Sequence, residues 1–292
     1  MKVLLLGATG LAGTAIKREL LKRSIKVIGV SRSGSEISCD VSDENKITRI
    51  LLHGHYDAII NAVAQTDINR CEIDPLESWK INAKIVSLLT NFSNELNIPL
   101  LQISTDHFYN YGDNHPHKET DPVFCVNEYA RHKYAAEFFA LASPMSLVLR
   151  TSILGVRKKN QKSLVEWAIQ SLLQRDEIEL FHDAWTSSVD VETFARCALK
   201  LFFDENYRGL LNLASSEVYS KEQLVRKLAN MLDLDHSKCL STSIKSISNR
   251  ANCLGLDVSK AEDLLKDKLP NLDKVCSNLI NNHQFTNVNN HF

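Results

Sequence analysis

The feature that most constrains this 292-residue sequence is a glycine-rich turn near its start. Gly7, Gly10 and Gly13 stand in the segment G-A-T-G-L-A-G, between the short apolar run 2–6 and an amphipathic stretch at 11–23. An apolar run that ends in glycine is typical of a strand buried in a parallel sheet, and the stretch after it predicts the crossover helix. Glycines at such a junction let a phosphate approach the helix N-terminus, where the helix dipole favours an anion. The segment therefore predicts a dinucleotide-binding turn made of Gly7, Thr9, Gly10, Leu11 and Gly13.

Apolar stretches that alternate with helical patterns continue through the first half of the chain. Four further strand candidates lie at residues 26–30, 57–61, 99–104 and 146–150. Residues 75–96, opened by a proline, and residues 127–141, entered through Asn127, are predicted to be long helices. This alternation predicts a doubly wound parallel sheet of the α/β class, a Rossmann fold, over residues 1–150.

Beyond residue 150 the alternation becomes less regular. Helices are predicted at residues 163–174, 191–203, 221–233 and 259–265, and strands at 178–181 and 210–214. Residues 151–280 are therefore expected to form mainly a smaller C-terminal lobe. The closing residues 281–292 are rich in asparagine and poor in apolar side chains, which predicts a disordered tail.

The end of the second predicted strand bears on which dinucleotide the turn would bind. A site that prefers NAD usually places an acidic residue there, against the ribose hydroxyls, whereas this sequence has Ser31 and Arg32. Arg32 offers a cation to a 2′-phosphate, which favours NADP over NAD; the alternative is a solvated surface arginine. Further candidate cofactor contacts after later strands are Asp40, Val41, Asn61, Ala62 and Ala64. For the alanines, tight packing is the alternative.

Tyr129 and Lys133 are spaced four residues apart on the predicted helix 127–141, so their side chains share one face. An ammonium beside a phenol favours the phenolate and brings its pKa nearer to neutral, so the pair can transfer a proton. Thr105 and Asp106 follow the strand 99–104 and are expected at the carboxyl edge of the sheet, where α/β proteins bind ligands. The alternatives are an ordinary half-buried helix face and hydroxyls that cap a turn.

Several segments, in their order and spacing, carry a resemblance to a known family. They are M-K-V-L-L-L-G-A-T-G-L-A-G, N-A-V-A-Q-T-D-I-N-R-C-E, W-K-I-N-A, I-S-T-D, Y-A-R-H-K, V-L-R-T-S and S-N-R-A-N-C-L-G-L-D-V-S-K-A-E. Over nearly its whole length the sequence resembles the extended short-chain dehydrogenase/reductase family, in the branch of dTDP-4-dehydrorhamnose reductase. That likeness implies that some later segments return to the Rossmann domain, and that the helices at 75–96 and 127–141 can pair in a homodimer.

The resemblance implies an oxidoreductase that reduces the 4-keto group of a nucleotide-linked deoxysugar with hydride from NADPH, NADH being the alternative. In that scheme Tyr129 gives a proton to the developing alkoxide, and Lys133 lowers the pKa of Tyr129 and holds the nicotinamide ribose. Thr105 orients the carbonyl, and Asp106 lies on the substrate side. Arg250 binds the substrate diphosphate. The alternative is that Arg250 forms a surface salt bridge.

The chain departs from the family pattern near these residues. It has Ala130 after the tyrosine, His132 before the lysine, Ile153 where relatives have an aromatic residue, and Ala251 where they have a proline. Nucleotide-sugar dehydratases of the family place a second carboxylate after the aspartate, but here Asp106 is followed by His107, which argues against water elimination. Two alternatives stay open: a non-catalytic dinucleotide-binding regulatory subunit, like the beta subunit of methionine adenosyltransferase, and a nucleotide-sugar epimerase.

Composition and charge argue against several other classes. With 34 basic and 35 acidic residues the formal net charge is -1, so nucleic acid is not an expected partner. The seven cysteines are scattered without a C-x-x-C pair, which predicts reduced thiols in the cytoplasm. No signal segment or membrane-spanning stretch is expected. No cysteine or carboxylate is spaced to complete a zinc site with the histidine pairs His53/His55 and His115/His117. These histidines are therefore expected in solvated loops, and no metal is predicted.

Overall fold

The computed structural model of the chain describes residues 1–157, 162–247 and 250–283. The first half comprises β1 (Lys2–Leu6), α1 (Leu11–Lys22), β2 (Lys26–Ser31), β3 (Ile37–Ser38), α2 (Glu44–Gly54), β4 (Ala58–Asn61), α3 (Ile68–Ile73), α4 (Pro75–Trp79), α5 (Ile85–Leu96), β5 (Leu100–Ile103), α6 (Glu128–Leu141) and β6 (Ser146–Arg150). The five strands predicted in this half all form. A π-helical segment, Lys80–Lys84, joins α4 to α5, so the predicted helix 75–96 is continuous but changes its winding.

The second half has shorter strands and more helices. Its elements are β7 (Ile153–Leu154), α7 (Leu164–Gln174), β8 (Ile178–Phe181), β9 (Trp185–Thr186), β10 (Val189–Asp190), α8 (Val191–Leu199), β11 (Gly209–Asn212), β12 (Tyr219–Ser220), α9 (Lys221–Met231), β13 (Cys239–Thr242), β14 (Cys253–Leu254), α10 (Ser259–Leu265) and α11 (Leu272–His283). A π-helical segment, Lys200–Asp204, continues α8. Among the described residues, none of the helices is both long and apolar enough to span a bilayer.

Seven parallel strands form the main sheet, in the order β11-β6-β5-β4-β1-β2-β3. This arrangement confirms the predicted α/β Rossmann fold. The chain runs outward from β1 to β3 and then crosses to β4 on the other side of β1. The strand order therefore reverses between β1 and β4, and in open α/β sheets ligands bind at the carboxyl ends of the strands beside such a reversal. The last strand of the sheet, β11, comes from the second half of the chain.

The side chains of β1 show why helices cover both faces of the sheet. Val3 and Leu5 pack in one apolar cluster with α1 and α8, whereas Leu4 and Leu6 pack in a second cluster with α2, α5 and α6. Successive residues of a strand point to opposite faces, so an uninterrupted apolar run can be buried on both sides. A third cluster joins α7, α9 and α11 in the second half and contains Tyr219.

Two sequence-based expectations need correction. Helix α11 continues through residues 281–283, where the sequence predicts the start of a disordered tail, because Val275 and Leu279 anchor this helix in the third apolar cluster. Residues 284–292 lie outside the described residues. The histidines expected in solvated loops differ as well: His117 is 1% exposed and its ring stacks on Tyr109 with 4.0 Å between ring centroids, and His53 is exposed but lies in α2.

Candidate active site

The glycine-rich turn between β1 and α1 has a backbone shape that larger residues would obstruct. Gly7 adopts a φ of +77°, and its N–H donates to the Val30 carbonyl at 2.8 Å. A Cβ atom on Gly7 would lie 2.8 Å from the Ala62 carbonyl oxygen, and one on Gly13 would lie 2.0 Å from the Gly7 carbonyl oxygen. Both positions therefore require glycine, because contacts this short do not occur with a real side chain.

The N-terminus of α1 is arranged to accept an anion. Gly10 is the N-cap and offers no side-chain cap, and the first turn holds no acidic residue. The N–H of Thr9 donates to the Ser31 hydroxyl at 3.1 Å, which ties the turn to the end of β2. Leu11 lines a cavity of about 200 Å³ together with Gly155 and residues 162–165. An uncapped helix start beside an open cavity is the usual setting for a bound phosphate.

The cofactor contacts predicted after β2 and β3 differ in how exposed they are to solvent. Arg32 and Asp40 are both exposed. Hydrogen bonds from the Ser42 backbone and hydroxyl hold the pKa of Asp40 below its ordinary value, and the Arg32 cation lowers it further. Val41 is buried in the same apolar cluster as α2, so its side chain is not available to a cofactor.

Asn61 and the two alanines that follow lie where β4 ends. The Asn61 amide donates to Gln102 Oε1 at 2.8 Å, and its Oδ1 accepts the Val63 N–H at 3.1 Å, so this buried side chain fixes the strand end. Ala62 and Ala64 are partly exposed at the edge. Small side chains here leave room beside the glycine turn.

Thr105, Tyr129 and Lys133 meet where β5 ends. Asn127 begins α6 by accepting the Ala130 N–H at 2.8 Å, which sets the register of the helix. Thr105 lies close enough to Tyr129 to lower the pKa of its phenol, and Lys133 Nζ donates to the Ile103 carbonyl at 2.6 Å. All three side chains are buried, Tyr129 being the most exposed at 7%. The structure thus brings the predicted tyrosine, lysine and threonine together.

The electrostatics of this group differ in one respect from the sequence-based expectation. Burial raises the pKa of Tyr129 above its ordinary value, although the hydrogen bond from Thr105 opposes that shift. Burial also lowers the pKa of Lys133 to about 8, against the opposing charge of Glu137. The sequence predicts a phenol made more acidic by Lys133. In the structure desolvation sets the shift, because a charged phenolate is disfavoured where water is excluded, and Lys133 is not among the groups that shift the pKa of Tyr129.

A buried ion pair behind the three residues was missed in the sequence. Glu137 accepts a hydrogen bond from the Ser104 hydroxyl at 2.6 Å and from Arg150 Nη2 at 2.8 Å. Arg150 Nη1 also donates to the Tyr109 hydroxyl at 2.7 Å. Because Glu137 lies one turn beyond Lys133 on α6, these bonds hold the helix against the end of β5.

The two residues that follow Thr105 have strongly shifted pKa values, and cations from distant segments contribute to the shifts. Asp106 is 2% exposed, and burial raises its pKa to about 7, while the charge of Lys221 opposes that shift. Burial lowers the pKa of His107 to about 3, and the cations of Lys221 and Arg250 lower it further. Lys221 and Arg250 are therefore cations whose charges act on the pKa of His107. Sequence reasoning found Asp106 and Arg250 but missed Lys221, whose only signal was a position directly after the capping residue Ser220.

Arg250 lies in the wall of an outer cleft. It donates to Asn69 Oδ1 at 3.1 Å and makes no ion pair within the described part of the chain, so the surface salt bridge considered as an alternative is not present there. The cleft has a volume of about 520 Å³. Its lining residues are Asn110, Tyr111, Asp113, Val126, Ile244, Lys245, Ile247, Arg250, Asn252 and Cys253.

Known proteins are similar to this chain, some in sequence and some in fold. The probable low-salt glycan biosynthesis reductase Agl14 of Haloferax volcanii is 25% identical over 282 residues, which cover 91% of this chain and 93% of that protein. The dTDP-4-dehydrorhamnose reductase of Escherichia coli K12 is 26% identical over 222 residues, 74% of this chain and 73% of the relative. The structure of dTDP-4-dehydrorhamnose reductase from Bacillus anthracis in complex with NADP matches with a TM-score of 0.85 at 18% identity, covering 96% of this chain and 98% of that one.

The fold, the glycine turn and these similarities define an oxidoreductase of the extended short-chain dehydrogenase/reductase type. Within that type, one family description, "RmlD substrate binding domain", matches the sequence over residues 1–284. The chain belongs to this family.

Proposed function

We propose that this protein catalyses the NADPH-dependent reduction of the 4-keto group of a nucleotide-linked deoxysugar, as a dTDP-4-dehydrorhamnose reductase does. The proposal rests on the placement of Thr105, Tyr129 and Lys133 close to the end of β5. In the sheet, β5 lies two strands away from β1, where the glycine turn begins. The similarity to Agl14 and to the Escherichia coli reductase supports it. Residues 1–150 with β11 would form the cofactor side, and residues 151–280 most of the substrate side.

The residues of the turn fit a dinucleotide. Gly7 and Gly13 let the backbone of the turn pack closely on itself and on Ala62, and α1 begins there with an uncapped N-terminus. Arg32, exposed at the end of β2, is suited to a 2′-phosphate, and the relative from Bacillus anthracis holds NADP. When bound, NADPH supplies the hydride.

The chain's own residues would control the proton and the position of the carbonyl. Tyr129 is a neutral phenol in the structure, since its pKa is raised, and so it can donate its proton to an alkoxide that develops on the substrate. Thr105 would donate a second hydrogen bond to the same oxygen. The ammonium of Lys133 would stabilise the phenolate that Tyr129 becomes, because a charge opposite in sign within a dry site lowers the energy of the anion.

The decisive test is the loss of NADPH absorbance when the purified protein meets dTDP-4-dehydrorhamnose. We expect turnover, and the Tyr129→Phe variant should lose it while still binding NADPH. An epimerase would give no net change of absorbance, and a regulatory subunit would bind NADPH without turnover on a panel of nucleotide-linked keto sugars. Either result would contradict the proposal.

A further inference from the structure

The outer cleft is formed by two segments that are far apart in the sequence. The first wall consists of Asn110, Tyr111, Asp113 and Val126, which lie between β5 and α6. The second wall consists of Ile244, Lys245, Ile247, Arg250, Asn252 and Cys253, which lie between the end of β13 and the start of β14. Its volume of about 520 Å³ falls within the range of small-molecule sites, roughly 300–1,000 Å³. Because a ligand in the cleft would touch both walls, its affinity depends on how the walls are held relative to each other.

The main chains of the two segments pair with each other beside the cleft. The His117 N–H donates to the Gly255 carbonyl at 2.9 Å, and the Asp257 N–H donates to the His117 carbonyl at 2.8 Å. These two bonds form a parallel β-bridge between His117 and Leu256. His117 belongs to the segment that carries the first wall, and Gly255 directly follows β14. The bridge therefore joins the segments that carry the two walls.

Asn212, the last residue of β11, holds this bridge from the main sheet. Its Nδ2 donates to the His117 carbonyl at 2.9 Å and to the Asp257 carbonyl at 3.0 Å. Its backbone N–H donates to Glu119 Oε1 at 2.9 Å, which ties a further residue of the first segment to β11. The Asn212 side chain is fully buried. One amide group thus binds a carbonyl of each segment and links both to the sheet.

The other end of the same amide shows which of its atoms matter. Asn212 Oδ1 is buried without a hydrogen-bond partner among the described residues. An acceptor left in this way is destabilising, so native proteins keep few of them. The reverse orientation would be worse, because Oδ1 would then face two carbonyl oxygens that only accept. The two donors of Nδ2 therefore explain why an asparagine is present here.

We propose that Asn212 is a positioning residue that holds the two walls of the outer cleft at the spacing that binds the nucleotide end of the substrate. This inference rests on the proposed function, because the resemblance that implies this reaction also assigns Arg250 to the substrate diphosphate. Lys245 supplies a second cation in the same wall. Asn212 itself does not line the cleft, so it acts on the ligand only through the walls.

The test measures dTDP binding to the NADP-saturated protein by calorimetric titration, together with kcat and KM for dTDP-4-dehydrorhamnose. We expect Asn212→Ala to raise the Kd of dTDP and the KM roughly 10-fold, because apparent affinity falls with the fraction of molecules whose walls are at the binding distance. The bridge remains, as does the bond from the Asn252 N–H to Asn110 Oδ1 at 3.3 Å, so the walls are loosened and not separated. Hence kcat and the affinity for NADPH should stay nearly unchanged.

Two further variants separate positioning from a general loss of stability. Asn212→Asp keeps the size of the side chain but cannot donate to both carbonyls in either protonation state, so it should also weaken dTDP binding. The matched control is Ser93→Ala on α5, which removes a buried hydroxyl that donates to the Ile98 carbonyl at 2.6 Å. Ser93→Ala should lower the stability and leave the affinity for dTDP unchanged. Thermal unfolding checks that each variant is folded.

Hydrogen exchange of the wild-type protein gives a measurement that needs no variant. Saturating dTDP should slow exchange of the His117 and Asp257 amides, although neither residue lines the cleft, because a ligand that needs the paired bridge stabilises it. In Asn212→Ala without ligand the same two amides should exchange faster than in the wild type.

Three results would overturn the inference in a protein whose wild type is an active reductase. They are unchanged dTDP affinity in folded Asn212→Ala, a loss of dTDP affinity as large in Ser93→Ala, and exchange of the His117 and Asp257 amides that dTDP does not slow. A fall in kcat and NADPH affinity equal to the fall in dTDP affinity would also do so, since it would show a general loss of structure. If the wild type neither binds dTDP nor consumes NADPH, the proposed function itself fails, and the inference with it.

Discussion

The Glu137→Gln substitution removes one charge from a buried pair and keeps the size of the side chain. Glu137 is 2% exposed and Arg150 is 3% exposed. The carboxylate accepts from Arg150 Nε at 3.0 Å, from Nη2 at 2.8 Å and from the Ser104 hydroxyl at 2.6 Å. In the variant the guanidinium keeps its bond to Tyr109 but faces a neutral amide. Leaving one partner of a buried pair uncompensated typically costs about 3–5 kcal/mol, so we expect the free energy of unfolding to fall by that amount.

Urea unfolding of the wild type and of Glu137→Gln measures this loss. The slope of the unfolding free energy against urea concentration should be the same for the two proteins, which shows that they expose similar surface on unfolding. Glu95→Gln is the control, because Glu95 is an exposed glutamate on α5 and its change should stay within about 0.5 kcal/mol. The double variant Glu137→Gln/Arg150→Met should lose less than the sum of the two single variants, since neither charge is then left alone. A loss below about 1 kcal/mol in Glu137→Gln would refute the reasoning.

The same substitution should also change the chemistry of the site. The charge of Glu137 raises the pKa of Lys133 against the effect of burial. Without that charge Lys133 should lose its proton at a lower pH. In a pH profile of kcat/KM, the fall at high pH should therefore move to lower pH in Glu137→Gln and stay in place in Glu95→Gln. A merely structural role for Glu137 would leave the position of that fall unchanged.

Three further predictions concern the proposed reaction. Tyr129→Phe should reduce kcat about 10²- to 10⁴-fold with little change in NADPH affinity, because only the transferable proton is lost; near wild-type turnover would contradict the role of Tyr129. The pKa of Lys133 is lowered to about 8, so its side chain is an ammonium below that pH. We therefore expect kcat/KM of the wild type to fall as the pH rises through about 8. A kcat/KM that stays constant well above that pH would count against the role of Lys133. Arg32→Asp should reduce the preference for NADPH over NADH at least roughly 10-fold, the usual contribution of a charge-assisted hydrogen bond, in a comparison of kcat/KM for the two cofactors; an unchanged ratio would show that Arg32 is a solvated surface residue.

Local patterns in the sequence were sufficient to predict the Rossmann sheet and the group around Tyr129. The glycine turn, the buried strands and the spacing of Tyr129 and Lys133 all depend on residues close together in the chain. The end of β5 places Thr105 beside α6 because both elements belong to one sheet-and-helix unit. Such features follow from the periods of strands and helices, which a single sequence displays.

The residues that sequence reasoning missed are those that depend on distant segments or violate the usual rules of burial. Lys221 belongs to α9 in the second half of the chain, yet its charge acts on Asp106 and His107 in the first half, and nothing near it in the sequence shows that. Glu137 and Arg150 are charged, and charged side chains are almost never fully buried unless paired. The partner of each lies on a different element, so the pair could not be recognised before the fold was known.

The raised pKa of Tyr129 determines which form of the phenol the site holds before the reaction. Oxidation of an alcohol needs the phenolate as a base, and burial makes that form costly in the structure. Reduction needs the neutral phenol as an acid, which is the form that burial stabilises, and the alkoxide it must protonate is a far stronger base than a phenolate. Lys133 then matters most after the proton has left, when its ammonium can offset the new negative charge. Burial therefore keeps Tyr129 in the form that can give its proton to a substrate alkoxide.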